Sequence, residues 1–181
     1  MADAATPSPA DSLSHIPAVL DIEASGFGRD SYPVEVGFVL PDGQSYCTLI
    51  KPAPTWTHWD PAAERLHRIP LRIAMRAGRS VAEVAAQLNE RLHGRTLYCD
   101  GWAHDYVWLS VLFDAAHLTP TFKLDNLRVL LTEHEAALWA RVKQQITAEM
   151  QLPRHRASSD AKILQRTLMR LREPARLAPQ R

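Results

Sequence analysis

Residues 18–23 read Ala-Val-Leu-Asp-Ile-Glu, an apolar and β-branched stretch that carries two acids near its end. Such a run predicts a β-strand, and side chains two apart on a strand point to the same face, so Asp21 and Glu23 are expected side by side. Two neighbouring carboxylates at the end of an apolar strand repel each other unless a cation neutralises them. The stretch therefore predicts the first strand of a sheet and a candidate cation site, with a strand end carrying solvated acids as the alternative.

The segments around this strand predict a mixed sheet flanked by helices. Residues 34–40 alternate in polarity, and residues 46–50 follow a Pro-Asp-Gly turn, which completes a three-stranded antiparallel meander. Later strands are predicted at 97–99 and 124–130. Capping signals and a helical period predict helices at 61–65, 80–94, 105–116, 132–150 and 158–171. Because strands that alternate with helices pair in parallel, the fold class is α/β with a five-stranded sheet.

Length and composition are those of an ordinary globular protein. The chain has 181 residues, of which 46% are hydrophobic and 23% charged, and this size suits one domain. The two ends are too poor in large apolar side chains to fold by themselves. We therefore predict a disordered tail at 1–15, a single domain at 16–172 and a flexible basic tail at 173–181.

Cysteine usage and hydropathy bear on the compartment. The chain lacks the ~20 consecutive apolar residues of a membrane-spanning helix, and its start lacks the basic and apolar blocks of a secretory signal. Cys47 and Cys99 lack the spacing of a zinc site and are expected to be small buried apolar groups. These features predict a cytoplasmic protein with no membrane partner.

The formal net charge of +1 conceals an asymmetry along the chain. Residues 1–60 carry a net charge of −6, whereas residues 151–181 carry +6. The near-neutral total argues against a strongly basic nucleic-acid binder. If cations neutralise the acids, however, the basic C-terminal part would present a positive field to a phosphate chain.

Two further polar segments contain candidate site residues. Asp105 lies beyond the strand at 97–99, where α/β sheets usually open their active-site crevice, although a helix cap is the alternative. His155 and Asp160 converge if the histidine precedes the last helix and the aspartate lies in its first turn. Imidazole can take a proton from water near neutral pH, and a carboxylate is a suitable ligand for Mg²⁺. A solvated histidine in a basic segment is the alternative.

In this order, the Asp-x-Glu pair, the mid-chain aspartate and the late His-x4-Asp resemble the motifs of the DEDDh family of 3′-to-5′ exonucleases. Residues 155–161, HRASSDA, are very similar to that family's third motif. Residues 66–69, Leu-His-Arg-Ile, stand where the family commonly has Val-His-Gly-Ile. The resemblance implies a ribonuclease-H-like fold, in which a meander precedes parallel strands, and this agrees with the predicted strand order.

The resemblance implies a metal-dependent hydrolase of phosphodiester bonds at the 3′ end of DNA or RNA. Asp21, Glu23, Asp105 and Asp160 would hold two Mg²⁺ or Mn²⁺ ions roughly 4 Å apart. His155 would be the general base that activates the attacking water, and the product would be a nucleoside 5′-monophosphate. The implied partner is a single-stranded or 3′-end nucleic acid, and the resemblance leaves a homodimer open.

Ser25, Phe27 and Trp102 are the candidate substrate contacts, with Phe27 packing against a base. The family's second motif, His-Asn-Ala-x-Phe-Asp, is here Asp-Gly-Trp-Ala-His-Asp at residues 100–105, so Trp102 and His104 depart from it. These departures leave open a non-catalytic nucleic-acid-binding module on the same fold. The short length of the chain leaves open a phosphodiesterase of very short oligonucleotides.

Overall fold

A computed structural model describes residues 16–173, which form one mixed five-stranded sheet with helices against it. The strands are β1 (Ala18–Ala24), β2 (Pro33–Val39), β3 (Ser45–Leu49), β4 (Thr96–Cys99) and β5 (Lys123–Asn126). Their order across the sheet is β3-β2-β1-β4-β5. β1, β2 and β3 pair antiparallel, whereas β4 pairs in parallel with both β1 and β5. The predicted fold class is confirmed. The predicted tails fall outside the described residues, apart from Glu173.

The helices begin mostly where the sequence carries capping signals. They are α1 (Pro61–His67), α2 (Leu71–Ala77), α3 (Val81–Leu92), α4 (Trp102–Ala116), α5 (Glu133–Met150) and α6 (Ala157–Arg172). Ser80 with Glu83 and Thr132 with Glu135 form the two capping boxes expected at the starts of α3 and α5. α1 follows the Asp60 cap, whose side chain accepts from the Ala62 N–H.

Two parts of the predicted secondary structure are wrong. α2 was not predicted, because it is one short stretch between Pro70 and Gly78, and the structure shows no side-chain cap at its start. The predicted strand at 124–130 ends at Asn126, whose side chain accepts from the Arg128 N–H and turns the chain into a 3₁₀ turn at Leu127–Leu130. Local side-chain capping therefore competes with strand extension at this point.

The two faces of the sheet pack against different helices. Leu20 and Ile22 of β1 belong to the main apolar cluster, together with residues of α3 and α4 such as Leu88 and Leu112. Val19 packs instead against Ala161 and Leu164 of α6 on the opposite face. Since side chains alternate along a strand, Asp21 and Glu23 lie on the α6 side. The sheet thus buries one face of β1 in a core and turns two acids toward α6.

The two cysteines differ in exposure. Cys99 in β4 is buried as predicted, but the prediction that Cys47 is buried is wrong, because Cys47 is exposed on β3, the outer strand of the sheet. Among residues 16–173, no helix combines the length and the apolar character needed to cross a membrane.

Candidate active site

A cavity of about 330 Å³ at the carboxyl end of β1 brings together the five residues predicted as metal ligands or base. β1 contributes two acids, the start of α4 contributes one, the segment before α6 contributes the histidine, and the first turn of α6 contributes the last acid. These five residues are Asp21, Glu23, Asp105, His155 and Asp160. Three segments that are far apart in sequence therefore meet at one site.

The pairing of β1 with β2 places the first two acids. Asp21 lies opposite Gly37, and Glu23 lies opposite Glu35 in the antiparallel ladder. Both acids of β1 are partly buried, whereas Glu35 is fully buried. β1 is the central strand of the sheet: it pairs with β2 along both acids and with β4 at Ala18 and Val19, so the ladder with β2 sets the positions of the two carboxylates.

Asp105 lies in the first turn of α4, directly after the bend that follows β4. Its side chain is only 3% exposed, and within the described part of the chain its Oδ2 atom has no hydrogen-bond partner. A Cβ atom on Gly101 would lie 3.1 Å from the same Oδ2 atom, so a glycine suits this close approach. A buried carboxylate oxygen without a partner is costly, and a cation would satisfy it.

The third segment bends sharply before α6. His155 has a backbone φ of 58°, which is uncommon for a residue with a side chain. The His155 N–H donates to Asp160 Oδ2 at 2.8 Å, and Arg154 Nε donates to Asp160 Oδ1 at 3.0 Å. One ligand atom from each of Glu23, His155 and Asp160 lies within 4.8 Å of the other two. These three side chains can therefore share one small ion.

Burial and mutual repulsion raise the pKa values of the acids. Burial raises the pKa of Asp21 well above its usual range, and the charges of Asp105 and Glu23 add to the effect. Burial and then Asp160 raise the pKa of Glu23 to about 8, and burial raises that of Asp105 to about 7. A cation beside these carboxylates would favour their ionised forms and lower their pKa values. The donor set and its unpartnered oxygen fit divalent metal ions.

The charge of the whole cavity supports the same conclusion. In the described part of the chain its lining holds five carboxylates, one lysine and one arginine, an excess of three negative charges. Two divalent cations would change this to one positive charge. The charged side chains in the lining are Asp21, Glu23, Asp100, Asp105, Asp160, Lys143 and Arg154. A phosphate group would then be attracted to a site that repels it in the absence of cations.

An aromatic group lies at the edge of the cavity. Phe27, a predicted substrate contact, lines the cavity and is 65% exposed. Its ring meets His104 edge to face with centroids 5.1 Å apart, and it lies 5.9 Å from the ring of Trp108. His104 stacks on Trp108 in turn. The exposed face of Phe27 is therefore supported from behind by two rings.

The other two predicted substrate contacts are not in the described lining of the cavity. Ser25 is 1% exposed, and its hydroxyl accepts from the Tyr32 N–H at 3.1 Å and lies 3.2 Å from His58 Nδ1. Trp102 is partly exposed, and its Nε1 donates to the Leu124 carbonyl at 3.3 Å. Ser25 holds the loop after β1, and Trp102 lies on the outer surface of α4. Their contact with substrate stays a prediction.

Sequence reasoning missed three side chains that line the cavity. Lys143 reaches it from the middle of α5, paired with Asp100, and no local pattern distinguishes it from other helix lysines. Arg154 precedes the histidine of the third motif and pairs with Asp160. His67 is buried, with its Nδ1 accepting from the Ile69 N–H at 3.0 Å; its place in the Leu-His-Arg-Ile segment was the one available signal.

Comparisons with known proteins agree on the fold. No family model matches the chain, and no curated protein matches it. Among solved structures, an Escherichia coli exonuclease I complex with single-stranded DNA and bound zinc ion matches 87% of this chain at 15% identity with a TM-score of 0.67. A moderately thermophilic exonuclease I from Methylocaldum szegediense matches 87% of this chain at 15% identity with a TM-score of 0.66.

A third match, E. coli exonuclease I in complex with a dA16 oligonucleotide, covers 85% of this chain at 14% identity with a TM-score of 0.65. The chain spans about two fifths of the length of these structures, with 41%, 41% and 40% of their chains covered. The protein therefore shares with them the ribonuclease-H-like fold, a mixed sheet of five strands flanked by helices.

Proposed function

We propose that the protein is a metal-dependent 3′-to-5′ exonuclease that hydrolyses terminal phosphodiester bonds of DNA or RNA. The observation that carries this proposal is the convergence of four acids and one histidine on a cavity whose carboxylates need cations. The matched exonuclease I structures, two of which hold a DNA strand, support a nuclease on this fold. The order of the motifs along the chain supports the DEDDh type.

Asp21, Glu23, Asp105 and Asp160 are the groups that would hold two Mg²⁺ or Mn²⁺ ions. When bound, such ions neutralise the charge of the scissile phosphate and of the attacking and leaving oxygens. The side chains around these acids would transfer the proton and bind the strand. Asp160 has a second task, because it also accepts from the backbone N–H of His155.

His155 is the proposed general base. Burial lowers the pKa of its imidazole, with Asp160 acting in the opposite direction, and this favours the neutral ring, which can accept a proton. Water would attack the phosphorus and give its proton to the ring, while the bond from phosphorus to the 3′-oxygen breaks. The 3′-oxygen left on the shortened strand takes a proton from solvent, and the phosphate leaves on the 5′ carbon of the released nucleotide.

The remaining side chains of the cavity would bind and orient the strand. Phe27 offers an exposed ring for the terminal base, and Lys143 and Arg154 offer positive charge for the phosphates. Trp102 could add a second stacking surface outside the cavity. The volume of about 330 Å³ is near the lower end for small-molecule sites, which also favours a second candidate, a phosphodiesterase of very short oligonucleotides.

The test is digestion of 5′-labelled DNA and RNA, from dinucleotides to long single strands, with Mg²⁺, with Mn²⁺ and with EDTA. We expect a ladder that shortens from the 3′ end, that EDTA abolishes, and that Asp21→Ala and His155→Ala both lose. His134→Ala is the matched control, because His134 is exposed at the start of α5. It should digest like the unaltered protein.

The other outcomes are distinct. Absence of cleavage on every substrate, with strand binding intact, would favour the non-catalytic module and reject the exonuclease. Cleavage of dinucleotides and trinucleotides alone would favour the short-substrate phosphodiesterase. Cleavage that survives in both variants would come from a contaminating nuclease and would leave the assigned residues without support.

A further inference from the structure

An ion pair between a buried acid and a partly exposed arginine joins β2 to the segment that carries the proposed base. Glu35 is 0% exposed, and Arg156 holds it with a fork of hydrogen bonds. Arg156 Nε donates to both carboxylate oxygens at 3.1 Å, and its Nη2 donates to Oε1 at 2.6 Å. A carboxylate this deeply buried needs such a partner, and arginine offers the planar geometry for a two-point contact.

Glu35 also serves as the cap of α6. The residue at the cap position is Arg156, and among the described residues no side chain of the α6 segment caps the helix start. Glu35 Oε2 accepts from the Ala157 N–H at 2.8 Å instead. The first free N–H group of α6 is thus satisfied by an acid from a strand more than a hundred residues earlier. The negative charge of this acid also interacts favourably with the dipole of α6.

The same strand touches the first turn of α6 directly. A Cβ atom on Gly37 would lie 2.3 Å from the backbone nitrogen of Ser158, so the approach requires glycine. Glu35 and Gly37 lie opposite Glu23 and Asp21 in the β1–β2 ladder. The ladder that carries two of the proposed metal ligands therefore also holds the helix that carries the fourth.

His155 lies between two sets of hydrogen bonds. On one side its N–H donates to Asp160, and on the other the next two residues are bound by Glu35. Its φ of 58° is unfavourable for a histidine and persists only where neighbouring contacts hold the backbone. Without the contacts to Glu35, the bend would be held by the two bonds to the Asp160 carboxylate and by the first-turn backbone bonds of α6, in which the Arg156 carbonyl accepts from the Ser159 and Asp160 N–H groups.

We infer that the Glu35–Arg156 pair is a positioning pair, which holds the first turn of α6 so that His155 and Asp160 face Glu23 in the cavity. The inference rests on the proposed function for the roles of His155 and Asp160. Arg156 also neutralises the charge of Glu35, which lies opposite Glu23 in the β1–β2 ladder. Glu35 is therefore not free to bind a cation in place of the proposed ligands.

Arg156→Lys tests the pair, because lysine keeps the charge and loses the fork. The matched control is Arg170→Lys at the other end of α6, where Arg170 makes a two-point contact with Glu149 on the surface. The measurements are kcat and KM on a labelled oligonucleotide, the Kd for Mn²⁺ by calorimetry, and Tm by circular dichroism. Supporting contacts of this kind typically change activity or metal affinity by about 10 to 100-fold.

We expect Arg156→Lys to lower kcat by about tenfold or more with KM within about twofold, and to weaken Mn²⁺ binding by a similar factor. Arg170→Lys should leave both within about twofold. Glu35→Gln, which keeps an acceptor for the Ala157 N–H but removes the charge, should behave like Arg156→Lys and serves if that variant does not fold.

Equal kcat and Mn²⁺ affinity in the Arg156→Lys and Arg170→Lys proteins would overturn the inference, as would a change in Tm alone. A protein without nuclease activity that still binds Mn²⁺ would overturn the proposed function, and the Mn²⁺ affinities would then decide the positioning role by themselves. A protein that neither cleaves nor binds Mn²⁺ would overturn both.

Discussion

The two faces of β1 differ in what they contribute to the protein. Leu20 and Ile22 on one face are 0% and 5% exposed and pack within the main core. Asp21 and Glu23 on the other face border the cavity, where burial raises the pKa of each. One strand therefore contributes to the core from one face and to the candidate site from the other, and burial of the acids on the second face costs stability.

The largest expected effect comes from the acidic face. Asp21→Asn should lower exonuclease activity by about 10³-fold or more, which corresponds to roughly 4 kcal/mol of transition-state stabilisation, because a metal ligand is lost. The Tm of the metal-free protein should rise, since one of several repelling charges is removed. Digestion rates and thermal unfolding in EDTA measure the two effects. Asp30→Asn, at an exposed acid after β1, is the control and should change neither.

A substitution on the apolar face should have the opposite pattern. Leu20→Ala should lower the free energy of unfolding by about 2 to 5 kcal/mol, because a fully buried side chain leaves a cavity in the core. Activity per folded molecule should stay within about twofold. Urea unfolding gives the free energy, with Leu118→Ala, at an exposed leucine, as the control expected within about 0.5 kcal/mol. If Leu20→Ala lost activity without losing stability, the prediction that the apolar face of β1 affects only stability would be wrong.

The pH dependence of the metal-free protein should reveal the cost of the acidic face. Glu23, with a pKa near 8, binds its proton more tightly in the folded than in the unfolded protein, so stability falls as pH rises through that value. Between about pH 7 and pH 9, where unfolded histidines are already neutral, Tm in EDTA should fall by about 3 to 5 °C. Added Mn²⁺ should remove this fall, and Asp21→Asn should reduce it. A Tm independent of pH in EDTA would contradict the prediction.

The smallest expected effect lies just beyond the strand. Phe27→Ala should raise KM by roughly tenfold, because base stacking on an aromatic side chain is worth about 1 to 3 kcal/mol, and should leave Tm unchanged since the ring is 65% exposed. Val129→Ala, at a residue of 64% exposure, is the control for loss of an exposed apolar group. Phe27→Tyr should restore KM. Equal KM values for Phe27→Ala and the unaltered protein would remove Phe27 from the substrate contacts.

Local patterns predicted most of the fold. Capping boxes at Ser80 and Thr132 placed the starts of two helices correctly because their hydrogen bonds are made within four residues. The prediction for Cys47 was wrong, because its exposure depends on β3 being an outer strand, which is a property of the whole sheet. β5 was predicted too long, since the cap by Asn126 was not recognised.

The candidate site was predictable only in part. The acids and the histidine carried a signal, because their types and spacings are unusual near strand and helix ends. Lys143 carried none, since a lysine in the middle of a long helix is ordinary until the packing of α5 places it at the cavity. The roles of Glu35 and Arg156 were equally hidden, because an ion pair between residues more than a hundred apart leaves no local pattern.

The amino-acid sequence by itself determined which side chains share a face of β1, where the capped helices begin, and which acids are candidates. Each of these features depends on residues that are close along the chain. Tertiary structure decided which acids meet at the cavity, and it placed Arg156 against the buried carboxylate of Glu35. The physical reason is that burial and distance set the pKa and the partner of a carboxylate. The burial of these carboxylates and the distances between them are set only when β1, α4 and α6 are brought together.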